Sequence, residues 1–272
     1  MMKRFFFLLL LCVTLQVNAQ QKKGAILVAQ FGTSYDEGRK ASLDVLFNVI
    51  KNAYPEYEVR EAFTSPRIRK ALEKKGIHKD SAEEALLRLK LEGYENVIVQ
   101  PTFLMDGVEM SLLREDVNKV SPFFKEIKVG IPILNSVEDF KAMTAILKER
   151  QTAKNELVMY VGHGNEFSSN AVYSMLGNML RNDGQTNIFI GTIEGWPDLE
   201  TSVNQLKGLK AKKVTLIPFL LASGVHAHED IDGEWRPAIE TLGYNVEVHF
   251  HGLGENEKVQ QLVLKHLNEL SN

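Results

Sequence analysis

Seven histidines occur in the chain: His78, His163, His226, His228, His249, His251 and His266. His163 stands between Gly162 and Gly164, directly after the apolar run Glu156–Val161. Glycine on both sides permits unusual backbone dihedrals and a close approach by a ligand. Glu194 follows the run Asn187–Ile193, just ahead of Gly195-Trp196-Pro197, and His226 and His228 follow the run Val214–Leu221. If these runs are neighbouring strands, imidazole, carboxylate and imidazole meet on one rim. Neutral imidazole with carboxylate suits an exchangeable divalent ion such as Co2+, Fe2+, Ni2+ or Zn2+, and three protein ligands leave positions open for a substrate. An imidazole also titrates ordinarily near pH ~6.5, so it can take up a proton at neutral pH. Taken singly, each residue has a plainer reading: a turn histidine bonded to backbone, an exposed carboxylate, a polar loop. The argument lies in their convergence.

His249 and His251 alternate along a strand and share a face. They could pair as ligands, but an exposed sheet face is the expected setting. His78, in a lysine-rich stretch, and His266, on a terminal helix, receive no role. The strand-linked Gly-x-Gly-x-x-Gly of dinucleotide sites is missing, as are a Walker A loop, a Gly-x-Ser-x-Gly elbow and a His-Glu-x-x-His pair. Nucleotide-driven chemistry and covalent hydrolysis are therefore disfavoured, and no organic cofactor is expected. A formal net charge of −3 offers no bulk attraction to nucleic acid.

The elements that must hold these residues alternate in type. Strand-like runs at 24–31, 57–63, 96–100 and 127–134 are interleaved with helical periodicity at 36–54, 81–91 and 137–150. Pro66 marks a further helix start, and Ser81 with Glu84 resembles a capping box. The second part repeats the pattern, with strands at 156–161, 187–193, 214–221 and 246–250 and helices at 170–181 and 257–270. The wording repeats too. Phe31-Gly32-Thr33-Ser34 parallels Gly162-His163-Gly164-Asn165, and Thr64-Ser65-Pro66 parallels Gly195-Trp196-Pro197. Pro101, Gly107, Val108 and Glu109 recur without a gap as Pro218, Gly224, Val225 and His226. Alternating strands and helices imply parallel sheets covered on both faces, and the repeat implies two similar α/β lobes, residues 20–150 and 151–272. Ligands of open α/β sheets bind beyond the carboxyl ends of the strands, so the two lobes should frame a cleft there.

Residues 1–19 stand apart. Lys3 and Arg4 precede an apolar run from Phe5 to Val13, and Val17-Asn18-Ala19 fits a small-x-small cleavage site. This is the pattern of a secretory signal peptide, too short in its apolar run to span a bilayer. An exported, periplasmic protein that does not span the membrane is expected. Its 253 residues from Gln20 onward contain no cysteine, because Cys12 lies in the leader. Thiolate is then unavailable, which leaves histidine and carboxylate as the ligands.

At several of these residues the sequence resembles the anaerobic-type sirohydrochlorin cobaltochelatases, single-subunit class II chelatases related in fold to protoporphyrin ferrochelatase. The matching text is Phe31-Gly-Thr-Ser-Tyr35, Ala62-Phe-Thr-Ser65, Ile68-Arg-Lys70, Gly162-His163-Gly164, Glu194 ahead of Pro197, His226-Ala227 and Gly252-Leu-Gly-Glu-Asn256. The resemblance implies two flavodoxin-like lobes around a tetrapyrrole cleft. It implies His163, Glu194 and His226 as the metal-handling residues, with His163 and Glu194 catalytic. It leaves His228 outside the ligand set and gives His249 and His251 no counterpart. The activity implied is ATP-independent insertion of Co2+ into sirohydrochlorin, a lyase reaction of the cobalamin-biosynthesis type, with Fe2+, Ni2+ or Zn2+ as other metals in vitro. Phe31, Gly32, Thr33, Ser34, Arg69 and Glu109 are candidate substrate-binding residues. Arg69, with Arg67 and Lys70, follows a strand end where a helix N-terminus also favours anions. Export suggests an alternative, a periplasmic binding protein for tetrapyrrole, haem or divalent metal on the same fold, or a chelatase for Fe2+ or Ni2+. A homo-oligomer is compatible with the sequence.

Overall fold

A computed structural model describes residues 24–149 and 155–271. The leader at 1–19 and the lobe boundary expected near residue 150 lie outside the described residues. Two four-stranded parallel sheets carry the fold. β1 (Ala25–Gln30), β2 (Glu58–Phe63), β3 (Asn96–Pro101) and β4 (Glu126–Val129) are ordered β2-β1-β3-β4. β5 (Glu156–Gly162), β6 (Ile188–Thr192), β7 (Lys213–Phe219) and β8 (Asn245–Val248) are ordered β6-β5-β7-β8. The identical order makes the two halves topological copies, as the repeated wording predicts, and each has the flavodoxin-like arrangement.

Period-two alternation explains how each strand feeds two layers. In β1, Ile26 and Val28 enter one core while Ala25, Leu27 and Ala29 enter the other. All six β1 residues are buried, as expected of a central strand covered on both faces. The helix starts read from sequence are also present. Ser65 accepts the Ile68 N–H at 3.3 Å with Pro66 behind it, and the Ser81–Glu84 capping box closes with bonds of 3.1 and 2.7 Å.

Two features differ from expectation. β4 ends at Val129 rather than continuing to Leu134. Gly130 N–H still reaches Val99 O at 2.8 Å, but Pro132 has no N–H for a ladder. The chain then leaves the sheet, and Ile133 and Leu134 bond instead to Phe103 O and Leu104 O, both at 2.9 Å. Helices at Val108–Val120, Leu199–Leu206 and Arg236–Glu240, and a π-helix at Ala227–Trp235, are additional to the segments marked by spacing.

The halves exchange helices. Helix Val137–Lys148, which follows β4, packs on helix Ala171–Asn182, and Tyr160 Oη from β5 donates to Leu147 O at 3.0 Å. Helix Glu257–Ser271, which follows β8, packs on helix Asp44–Ala53 and on β3. Its Val259, Val263 and Leu267 are fully buried in a core shared by both sheets. Full burial of one such side chain stabilises by roughly 1.5–3 kcal/mol, so the exchanged helix is a principal bond between the halves. Among the described residues no helix is long and apolar enough to cross a membrane.

Candidate functional site

β5, β6 and β7 are neighbours in the second sheet. Residues just past their carboxyl ends therefore share one rim, and these are His163, Glu194 and His226. The His163 and His226 ring centroids are 4.6 Å apart with perpendicular planes. Glu194 Oε2 lies 3.8 Å from His163 Nδ1, and the Glu194 N–H donates to His163 O at 2.7 Å. Among the described residues no three His, Cys, Asp or Glu side chains already stand together as a metal cage. The set is assembled pairwise, and the Glu194 side chain is 60% exposed.

Hydrogen bonds fix the tautomers. His163 Nδ1 is 2.9 Å from Gly164 O, and His226 Nδ1 is 2.7 Å from Asp230 Oδ2. A carbonyl and a carboxylate can only accept, so in the neutral ring each Nδ1 carries the proton and each Nε2 keeps its lone pair. An oxygen placed behind a metal-ligating histidine in this way holds the ring in one orientation. Asp230 carries one sequence signal, its place four residues after His226.

The glycines around His163 act by space. A Cβ on Gly162 would come within 2.2 Å of the Tyr173 ring, and one on Gly164, whose φ is +78°, within 2.6 Å of Gly195 N. Tyr173 Oη accepts the Gly164 N–H at 3.2 Å. Burial pushes its phenol up to about 12, and the negative charge of Glu109 adds to the rise. Asn170 ties the neighbouring loops, accepting the Asn165 N–H at 3.1 Å and donating to Trp196 O at 2.7 Å. Tyr173 and Asn170 carry no local sequence signal, because their partners are set by strand order.

The first half meets this rim at two places. The loop Phe31–Ser34 abuts the approach to His226: a Cβ on Gly224 would lie 2.8 Å from Thr33 Oγ1. Phe31 is 47% exposed, and Ser34 O accepts from Lys75 Nζ at 2.7 Å. The loop after β3 meets the loop after β5 where Asn165 Nδ2 donates to Met105 Sδ at 3.6 Å. Glu109 opens helix Val108–Val120 there, and a Cβ on Gly107 would lie 3.5 Å from both Glu109 Oε2 and Ser169 Oγ. Arg69 pairs with Glu84 at 3.2 Å beside Pro66, His78 and Lys79, on the helix whose Ile68 would lie 3.1 Å from a Cβ on Gly32.

The remaining histidines are dispersed. His249 and His251 bond to Glu247 and Glu255 at 2.9 and 2.8 Å, with ring centroids 6.5 Å apart. His78 lies on the surface between Glu73 and Asp80, whose hydrogen bonds, Asp80's first, raise its titration. His266 is buried against Asp139 at 3.0 Å.

The family model of the CbiK cobalt chelatases matches residues 24–272. The chain belongs to the CbiK cobalt chelatase family. Over 257 residues this chelatase-family chain is 28% identical to the sirohydrochlorin cobaltochelatase of Salmonella typhimurium, spanning 92% of this chain and 97% of that protein. Over 261 residues it is 30% identical to the sirohydrochlorin cobaltochelatase CbiKC of Nitratidesulfovibrio vulgaris, spanning 93% and 92%. Its fold is that of SirB from Bacillus subtilis with Fe3+, at a TM-score of 0.65, 17% identity and coverage of 90% and 94%. The cobalt complex of the sirohydrochlorin chelatase SirB from Bacillus subtilis subspecies spizizenii matches at a TM-score of 0.61 and 15% identity, with the same coverage.

Proposed function

We propose that this chelatase inserts Co2+ into sirohydrochlorin without a nucleotide, using His163, Glu194 and His226 to handle the metal. The observation that carries the reading is the commitment of both Nδ1 atoms to oxygen acceptors, which leaves two Nε2 atoms uncommitted on the rim that also carries Glu194, whose Oε2 lies 3.8 Å from His163 Nδ1. Family membership supports it, as does the cobaltochelatase activity named for both curated relatives.

The chemistry follows from those groups. Co2+, here a substrate, is held by nitrogen and carboxylate donors that exchange readily. Insertion forms metal–nitrogen bonds to the macrocycle and releases two pyrrole protons. As the ion passes to the macrocycle, the His163 Nε2 lone pair it vacates becomes available for one proton, and Glu194, open to solvent, takes the other and releases it. The exposed apolar groups near the cleft, Phe31 and Trp196 among them, suit the faces of a flat macrocycle. Glu109, at the position matching His226 in the first half, faces the same cleft. Fe2+ and Ni2+ accept the same donors, so metal choice is part of the proposal, as is export directed by residues 1–19.

The test is steady-state insertion with free sirohydrochlorin and Co2+. Multiple turnovers by the wild type, and a loss of at least about 100-fold in His163→Ala at an unchanged thermal midpoint, are expected. Product that stops at one equivalent would instead identify a carrier. Full activity in His163→Ala would overturn the assignment.

A further inference from the structure

Tyr35, His228 and Phe250 form a stack of three rings. The Tyr35 and His228 centroids are 4.5 Å apart with planes inclined by 25°, and those of His228 and Phe250 are 4.3 Å apart at 7°. Tyr35 follows β1 in the first half, whereas His228 and Phe250 lie beyond the carboxyl ends of β7 and β8. The stack therefore crosses between the halves. The same segments also touch through the backbone: a Cβ on Gly38 would stand 1.8 Å from Ser223 O. Ser42 Oγ donates to Glu255 Oε1 at 3.2 Å, and that oxygen also accepts the Gly252 N–H at 2.7 Å. Aromatic pairs contribute beyond their buried area and favour definite ring orientations.

His228 is two residues beyond His226, in the first turn of the π-helix Ala227–Trp235. With a ring against each face, its imidazole and the turn beneath it are held in one orientation. The bond from His226 to Asp230 is made within that helix, so it orients the His226 ring but not the turn itself. A tilt of the turn would carry His226 and Asp230 together away from His163. Contacts from outside the turn must resist that tilt, and the stack is placed to do so.

We propose that His228 is a positioning residue for His226: clamped between Tyr35 and Phe250, it locks the register of the two halves to the His163–His226 spacing. This rests on the reading of that pair as the metal-handling residues. It makes His228 a residue whose ring shape matters while its nitrogens do not. It also means that the spacing of the two ligands depends on a residue of the opposite half.

The experiment titrates Co2+ into the full chain without tetrapyrrole, followed by visible absorption, with thermal midpoints measured in parallel. His228→Ala should weaken Co2+ binding by at least about tenfold, the lower end of the range for residues that support a metal ligand from behind. His228→Phe, which keeps a ring in the stack, should restore affinity to within about threefold. In a His226→Ala background, His228→Ala should have no further effect, because the residue acts through His226. Tyr35→Leu removes the stack from the other half and should match His228→Ala; it carries the test should His228→Ala fail to fold. Unchanged affinity in His228→Ala or Tyr35→Leu would overturn the proposal, as would an undiminished effect in the His226→Ala background. Loss in His228→Phe equal to that in His228→Ala would also overturn it, by making His228 a ligand. A wild type showing these couplings yet unable to insert Co2+ into sirohydrochlorin would overturn the proposed function and leave the positioning role standing.

Discussion

His226 Nδ1 lies 2.7 Å from Asp230 Oδ2, within a single turn of the π-helix that begins beside it. The bond does for His226 what the Gly164 carbonyl does for His163: it fixes the ring and leaves Nε2 facing away from its anchor. The two anchors differ in charge. A carboxylate supports the His226 ring, whereas a neutral carbonyl supports that of His163.

Asp230→Ala should therefore lower Co2+ affinity by about 10- to 100-fold, the range for residues that support a metal ligand from behind. Asp230 is only half-buried and its removal leaves no cavity in a core, so the thermal midpoint should change little. Titration of Co2+ by visible absorption checks the first statement and thermal melting the second. An unaltered affinity would remove Asp230 from the site.

Gly162→Ala should destabilise the protein by about 1–3 kcal/mol, the usual range for forced overpacking. The new methyl would meet the Tyr173 ring at 2.2 Å. Relief requires Tyr173 to move, which also breaks the bond to Gly164 that shapes the His163 loop. Insertion activity should fall along with the midpoint. Denaturant unfolding and initial rates measured on the same preparation check the two together; normal activity in a destabilised variant would separate the loop from Tyr173.

Asp139→Asn tests the buried pair that joins the exchanged helices. Burial alone would raise the Asp139 carboxyl, but hydrogen bonds from Ser136 and His266 outweigh it and hold the group below the usual carboxylate range. A depressed value means that the ionised form favours the folded state. The contribution is present above about pH 4, where the carboxyl ionises in the unfolded chain, and is lost as pH falls through the lower folded value. Hydrogen bonds to an ionised group are worth about 1.5–3 kcal/mol. Asp139→Asn should thus be less stable than the wild type by up to about that amount at pH 7, with the gap closing in acid. Urea midpoints at pH 7 and pH 3 measure it, and a gap of equal size at both would refute the ionic reading.

Much of the fold is legible before any coordinates. Short apolar runs bounded by turn residues give seven of the eight strands near their observed bounds, and the repeat of Pro101 to Glu109 in Pro218 to His226 anticipates two sheets of one topology. The end of β4 was misplaced because hydrophobicity alone does not register the missing N–H of Pro132. Helix Val108–Val120 escaped because only Met110, Leu113, Val117 and Val120 of its residues are buried, a narrow stripe in a polar segment.

The placement of His163, Glu194 and His226 on one rim is legible in the sequence because each follows directly on, or shortly after, a buried run. Strand ends are where a parallel sheet gathers residues distant in the chain. Their separations and tautomers were decided by tertiary structure alone, since both depend on the order β6-β5-β7 and on which oxygen each Nδ1 meets. The same is true of His228, a loop histidine by sequence and the middle ring of a stack between the halves in space. Sequence pattern fixes residue type and the element that carries it. Contacts between residues nearly two hundred positions apart, such as Tyr35 with His228, arise only when the lobes close on each other.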